Sequence, residues 1–159
     1  MTGQPRLRMR PLSAEEFPEY RESFIRDWAL DLARVEGLPP EEAIASATRR
    51  TDAGLTAGVA TPGHYLYAIL FDDERVGTLW FSVDEERRGF LDDITILEPF
   101  RRRGHGKGAL ELLEAIAREL GLGRLDLHVY RDNPGAIALY ERLGYRVTGL
   151  KMRKVLGAK

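Results

Sequence analysis

Apolar residues recur along this chain with three periods, and each change of period coincides with a cluster of turn-forming residues. Ser13-Ala14-Glu15-Glu16 opens an amphipathic stretch reaching about Glu36. A Ser followed three residues later by Glu can satisfy two of the backbone N–H groups left over at a helix start. Gly37-Leu38-Pro39-Pro40 ends that helix, and a second is expected over about Glu41 to Thr56, its opening acids suited to the positive end of the helix dipole. A strand near Arg6 to Pro11 precedes them, and Gly58 to Gly63 forms a loop. The period then shortens. Strands are predicted over about His64 to Phe71, Arg75 to Val83 and Phe90 to Leu97, with Asp72-Asp73-Glu74 and Asp84 to Gly89 as hairpin turns, giving an antiparallel meander.

Leu110, Leu113, Ile116, Ala117 and Leu120 return to helical spacing, which predicts a helix over 106–120. The strand near Arg124 to Val129 then follows a strand-helix-strand crossover and should lie parallel to its predecessor. Asn133 is a natural N-cap with Pro134 at the first helical position, and Gly144 is the stop of a short helix. Two short strands, about Tyr145 to Leu150 and Met152 to Leu156, close the chain. The resulting class is α/β (α+β): a mixed, mostly antiparallel central sheet of about six or seven strands with one parallel pair, flanked by about four helices. No linker, internal repeat or low-complexity tract interrupts it, so a single domain over 1–159 is expected.

At 159 residues with 43% hydrophobic and 31% charged residues, the chain can bury a core without a second domain. A net charge of -1 argues against a nucleic-acid partner despite the local run Arg101 to Arg103. With no cysteine there is no disulfide framework and no thiolate nucleophile or metal ligand. The first twenty residues lack an apolar signal core and no window has membrane-spanning length, so a cytoplasmic protein with no membrane partner is expected.

Candidate chemistry concentrates in two segments. Arg101-Arg102-Arg103-Gly104-His105-Gly106-Lys107-Gly108-Ala109 joins an apolar strand to an amphipathic helix. Unpaired N–H groups and the helix dipole favour an anion there, and glycines let a phosphate approach the backbone closely. The run lacks the Gly-Lys-Ser/Thr ending of a nucleotide triphosphatase loop and the glycine spacing of a dinucleotide fingerprint. The second segment is Asn133-Pro134-Gly135-Ala136-Ile137-Ala138-Leu139-Tyr140-Glu141-Arg142-Leu143-Gly144-Tyr145.

Together these segments resemble the GNAT superfamily of acyl-CoA-dependent N-acyltransferases. The family's acyl-CoA motif, Arg/Gln-x-x-Gly-x-Gly/Ala, is matched by Arg103, Gly106 and Gly108. Its second motif, Asn-x-x-Ala-x-x-x-Tyr-x-x-x-Gly-Phe/Tyr, is matched by Asn133, Ala136, Tyr140, Gly144 and Tyr145. The resemblance is strongest from about Val76 to Val155, and the N-terminal half looks similar to one bacterial branch through Thr61-Pro62-Gly63-His64-Tyr65-Leu66-Tyr67. It implies that the parallel strands splay apart to admit the pantetheine arm of acetyl-CoA, with backbone groups near Ile94, Thr95 and Ile96 facing it. It also implies that the N–H groups of Arg102 to Ala109 cradle the pyrophosphate and that Asn133 contacts the arm. The side chains of Ile94 and Ile96 read as core residues of a buried strand rather than as functional groups.

The implied reaction is direct acetyl transfer to a primary amine of a small molecule or protein, with no acyl-enzyme and no metal. Tyr140 resembles the family's proton donor to the departing thiolate, since a phenol with a pKa near ~10 is protonated at neutral pH. For the base, His128 has a pKa near ~6.5 suited to proton acceptance. Asp92 and Asp93 are its rivals, and strand alternation would send only one of them to the active face. Asp93 sits where relatives often have an acid near the acceptor amine. The N-terminal helices carry Glu15, Glu16, Glu19, Glu22, Asp27, Asp31, Glu36, Glu41 and Glu42, which read mostly as a solvated face and would attract a cationic amine where they line the cleft. Pairing through the C-terminal strands, common among relatives, leaves a homodimer open. The alternative from another class is a catalytically silent acyl-CoA or phosphate-binding regulatory module.

Overall fold

The computed structural model describes residues 6–157 of the chain. They fall into two compact units, divided between His128 and Val129. The first holds a five-stranded sheet in the order β1-β2-β3-β4-β5. Its strands are β1 (Leu7–Pro11), β2 (His64–Phe71), β3 (Glu74–Val83), β4 (Gly89–Ile96) and β5 (Leu125–Leu127). The first three pairings, β1 with β2, β2 with β3 and β3 with β4, are antiparallel. Only β4 and β5 pair parallel, across the crossover helix α3 (His105–Glu119), as the strand-helix-strand order requires.

Helices α1 (Phe17–Glu36) and α2 (Pro40–Gly54) pack on each other, and α1 covers one sheet face. On that face Tyr20, Leu66, Ala68, Leu70 and Trp80 form a core with Leu12 and Leu55. Phe71, pointing the other way by alternation, packs against the His105 ring of α3 with ring centroids 4.6 Å apart at a tilt of 49°. Because both faces are covered, Val76 to Phe81 are buried without interruption and read as an apolar run.

Local signals settle several elements. Ser13 and Glu16 exchange the reciprocal bonds of a capping box, the Ser13 N–H donating to Glu16 Oε1 at 3.0 Å and the Glu16 N–H to Ser13 Oγ at 3.2 Å. Arg10 binds the same carboxylate at 2.7 Å. Its hydrogen bond, with those from Ser13, pulls the Glu16 carboxyl down to about 2. Asp72 and Asp73, with φ of 49° and 65°, form the tight two-residue connection between β2 and β3. Gly77 is required by contact: a Cβ there would collide with the carbonyl oxygen of Thr95 on β4. Gly77→Ala should therefore cost about 1–3 kcal/mol in urea denaturation, because a strand backbone has to shift; an unchanged midpoint would show that β4 yields freely.

In the second unit, α4 (Pro134–Arg142) is capped by Asn133, whose Oδ1 accepts the Ala136 N–H at 3.2 Å. The strands expected over 145–150 and 152–156 do not form. Among the described residues of this unit α4 is the sole regular element, so no neighbouring strand supplies a ladder. Val147, Leu150, Met152, Val155 and Leu156 are exposed. The sheet thus has five strands among the described residues, rather than six or seven.

Candidate active site

The pairing of β3 with β4 slips by one residue: Trp80 faces Asp93, but the next residue, Phe81, faces Leu91. Asp92 is the extra residue of a β-bulge. A regular strand would send Asp92 and Asp93 to opposite faces; the bulge places both on the face covered by α1. Asp93 lies opposite Trp80 there and accepts a hydrogen bond from the Tyr20 hydroxyl of α1 at 3.1 Å. Asp92 accepts one from Ser82 at 2.7 Å, and Ser82 shares the Trp80 face by its two-residue spacing. The expectation that only one acid reaches the active face is thereby corrected.

Both acids are perturbed. Burial pushes the Asp93 carboxyl up to about 6, aided by the charges of Asp27 and Asp31 and opposed by hydrogen bonds from Tyr20 and Thr95. Burial pushes Asp92 up to about 7, opposed by the Ser82 hydrogen bond and reinforced by the Asp93 charge. Burial, with the charge of Asp93 beside it, raises the Tyr20 phenol well above its ordinary value, so it remains a donor. Of the acids on the first helices, Asp27 and Asp31 therefore act on the site, whereas Glu16 is held by Arg10 and Arg75.

The bulge also ends the partnership of β4 and β5, which pair only from Gly89 with Leu125 to Leu91 with Leu127. Beyond it, no strand among the described residues of this unit pairs with β4 on the β5 side, which leaves an open edge there. Leu97 donates its N–H to Val76 of β3, so by alternation the peptide groups of Ile94 and Ile96 face that edge. The Ile96 carbonyl is taken by Arg101 Nε at 2.8 Å. Thr95 turns its hydroxyl to Asp93 at 3.2 Å, a side-chain role in addition to its place in the strand.

The free edge leads to the basic turn. Arg102 and Gly104 take φ of 62° and 84°, and the Gly104 carbonyl accepts the Gly108 N–H as the first helical bond. No side chain caps α3, so its first-turn N–H groups are available to an anion. Arg102, Arg103 and Lys107 are exposed around them, while His105 and Ala109 are buried. Gly108 lets α3 approach β1, since a Cβ there would strike the Leu7 side chain. A pyrophosphate fits this donor set: unpaired amides, flanking cations and no carboxylate within bonding distance of Arg102 or Arg103 among the described residues.

His128 ends the first unit just beyond β5 and is exposed. In the second unit Tyr140 of α4 lies against Tyr145, ring centroids 5.7 Å apart at 67°. Trp80 is core and donates its indole N–H to His64 Nδ1 at 3.0 Å. Tyr65 and Tyr67 stack on Phe81 at 4.7 and 6.2 Å. Tyr20 was missed by sequence reasoning. Its signal was a phenol in register with Phe24, Asp27 and Asp31 at spacings of one helical face.

The model of the acetyltransferase (GNAT) family matches residues 13–145. The chain belongs to the GNAT family. Two Bacillus subtilis N-acetyltransferases are full-length relatives: YycN is 33% identical over 94% of this chain and 99% of its own, and YdgE is 32% identical over 91% and 95%. The crystal structure of YycN superposes with a TM-score of 0.90, 30% identity, and coverage of 96% of this chain and 99% of that one. The aminoglycoside acetyltransferase AAC(6')-Iy, solved with a bisubstrate analogue of CoA, shares the fold with a TM-score of 0.62 at 15% identity, covering 97% of this chain and all of its own. The mixed sheet with one parallel pair is the GNAT arrangement, and this member is an acyltransferase whose family uses acetyl-CoA as donor.

Proposed function

We propose that this GNAT enzyme transfers the acetyl group of acetyl-CoA directly to a primary amine that arrives as a cation. The observation that carries this reading is the bulge at Asp92, which gathers two carboxylates with raised proton affinity on one face of β4 beside the free strand edge. No Lys or Arg bonds to either carboxylate among the described residues, and Asp27 and Asp31 add negative potential. An ammonium is attracted to such a site and loses its proton there. The family match through both units supports one catalytic domain over 1–159.

In the proposed reaction the free amine nitrogen bonds to the thioester carbonyl carbon, the carbon–sulfur bond breaks, and the amine proton passes to Asp93, directly or through water. Tyr140 is the group proposed to return a proton to the thiolate. The β4 edge at Ile94, Thr95 and Ile96 and the turn from Arg101 to Ala109 are proposed to hold the donor, with Asn133 and Ala136 supplying the second motif's share. Asn133 already spends its carbonyl oxygen on capping α4, which leaves its amide N–H groups for that contact. His128, exposed just beyond β5, is the second group proposed as proton acceptor. The acceptor is a small-molecule or peptide amine.

The test is thiol release from acetyl-CoA across a panel of diamines, amino acids, aminoglycosides and peptides. Amine-dependent release establishes the reaction and ranks acceptors; a panel that releases no CoA overturns it in favour of a silent acyl-CoA-binding module. Tyr140→Phe should lower kcat by about 10²-fold or more with CoA affinity unchanged, read by steady-state kinetics and calorimetry on one preparation. Equal turnover in that variant would remove Tyr140 from the proton inventory.

A further inference from the structure

We propose that Tyr20 is a positioning residue, whose hydroxyl, by donating to Asp93, orients that carboxylate toward the acceptor and sets the pH at which it becomes a base. This rests on the reading that Asp93 takes the amine proton.

Asp93 stands between two hydroxyl donors. Tyr20 donates to Oδ2 at 3.1 Å from α1, and Thr95 to Oδ1 at 3.2 Å from the same strand. Thr95 also reaches Oδ2 at a longer 3.4 Å, so the two hydroxyls between them hold both oxygens and fix the carboxylate plane. Thr95 is two residues away and moves with β4, so it carries no information from outside the strand. Tyr20 is 73 positions distant and is anchored separately: its ring is 4% exposed in the α1 core and stacks on Phe24 at 6.0 Å, and Phe24 abuts Trp80 at 5.2 Å. The hydroxyl is therefore delivered by packing, and its direction is set by the core.

Its energetic role follows from the other groups facing Asp93. The neighbouring strand residue Asp92 is a carboxylate, α1 contributes Asp27 and Asp31, and β3 contributes the uncharged Trp80 and Ser82. The charges of Asp27 and Asp31 disfavour ionisation of Asp93, as does burial. Only the two hydroxyls favour it. Without Tyr20 the acid would hold its proton to higher pH and be idle over more of the neutral range. A phenol suits this task because its own ionisation is displaced upward beside the acid, so it donates throughout that range.

The deciding experiment is a pH titration of the full-length enzyme, following the Asp93 side-chain carboxyl carbon by NMR and kcat in parallel, for the wild type, Tyr20→Phe and the chain carrying 3-fluorotyrosine at position 20. Removing the donor should move the Asp93 midpoint and the acidic limb of kcat upward together, cutting turnover about threefold to tenfold at pH 5 while sparing pH 9. The fluorinated phenol is nearly isosteric and a stronger donor, so it should move both downward even if Tyr20→Phe folds poorly. CoA affinity should not change. A purely structural Tyr20 would lower the melting temperature and leave both midpoints in place, which overturns the inference. Asp93→Asn separates the two claims. Undiminished turnover there defeats the catalytic reading of Asp93, whereas the NMR midpoint still judges the hydrogen bond from Tyr20.

Discussion

Asp93→Asn should lower kcat by about 10²–10⁴-fold, the range a positioned general base contributes, and should make the protein more stable above pH 7. Both effects come from one burial. The folded-state proton affinity of Asp93 is raised to about 6 from an ordinary 3.8, so the folded chain binds more protons than the unfolded chain between those values. Unfolding free energy therefore falls as pH rises through that window and stays low above it, where the buried carboxylate is charged. Asn keeps the shape and can still accept from Tyr20 through its carbonyl oxygen, but carries no charge. Its gain should be about 1–2 kcal/mol at pH 8, discounted for the partly exposed position, and should vanish near pH 3. Denaturation at the two pH values, beside kinetics, checks it. An inactive but unstabilised variant would mean that the carboxylate is paired in solution by something other than hydroxyls.

The acid limb of the wild-type profile follows from the same groups. Asp92 and Asp93, raised to about 7 and about 6, titrate as a coupled pair, so activity should climb between pH 5 and 8 and the apparent midpoints belong to the pair. High salt should matter little to their mutual coupling, because neighbouring strand residues lie well within a screening length.

What could be read from the chain divides by the range of the interaction. Ser13 and Glu16, Asp72 and Asp73, Asn133 and Pro134, and the glycines of the basic turn act over a few residues, and each forms the local structure its chemistry specifies. The parallel pair was legible from element order. The bulge was not, because Asp92 becomes the extra residue only through the register that β4 takes against Trp80 and Phe81. Alternation within a single strand gives the opposite answer for the Asp92–Asp93 pair. Tyr20 was hidden for the same reason, since its partner lies on another element. The C-terminal expectation failed because the β-rich composition of 145–156 is a preference for pairing, and a preference does not supply the partner strand.

Gly106→Glu should abolish binding of CoA and acetyl-CoA, raising Kd by about 100-fold or more, while the fold persists. Gly106 lies in the first turn of α3 and is absent from the positions with positive φ, so a side chain meets no backbone strain there. A Glu in the first turn also interacts favourably with the helix dipole and stabilises α3. The feature that helps the helix harms the ligand. The new carboxylate occupies the amide field on which the pyrophosphate depends and repels its negative charge. Gly106→Ala adds bulk without charge and should lose much less, and Lys107→Ala, removing an exposed cation whose nearest acid Glu111 is 3.8 Å away, less still. Calorimetric titration of the three variants, with melting temperatures measured alongside, separates field from size. If Gly106→Glu bound CoA as the wild type does, the pyrophosphate would have to sit elsewhere than the α3 N-terminus, and the assignment of Arg101 to Ala109 would fall with it.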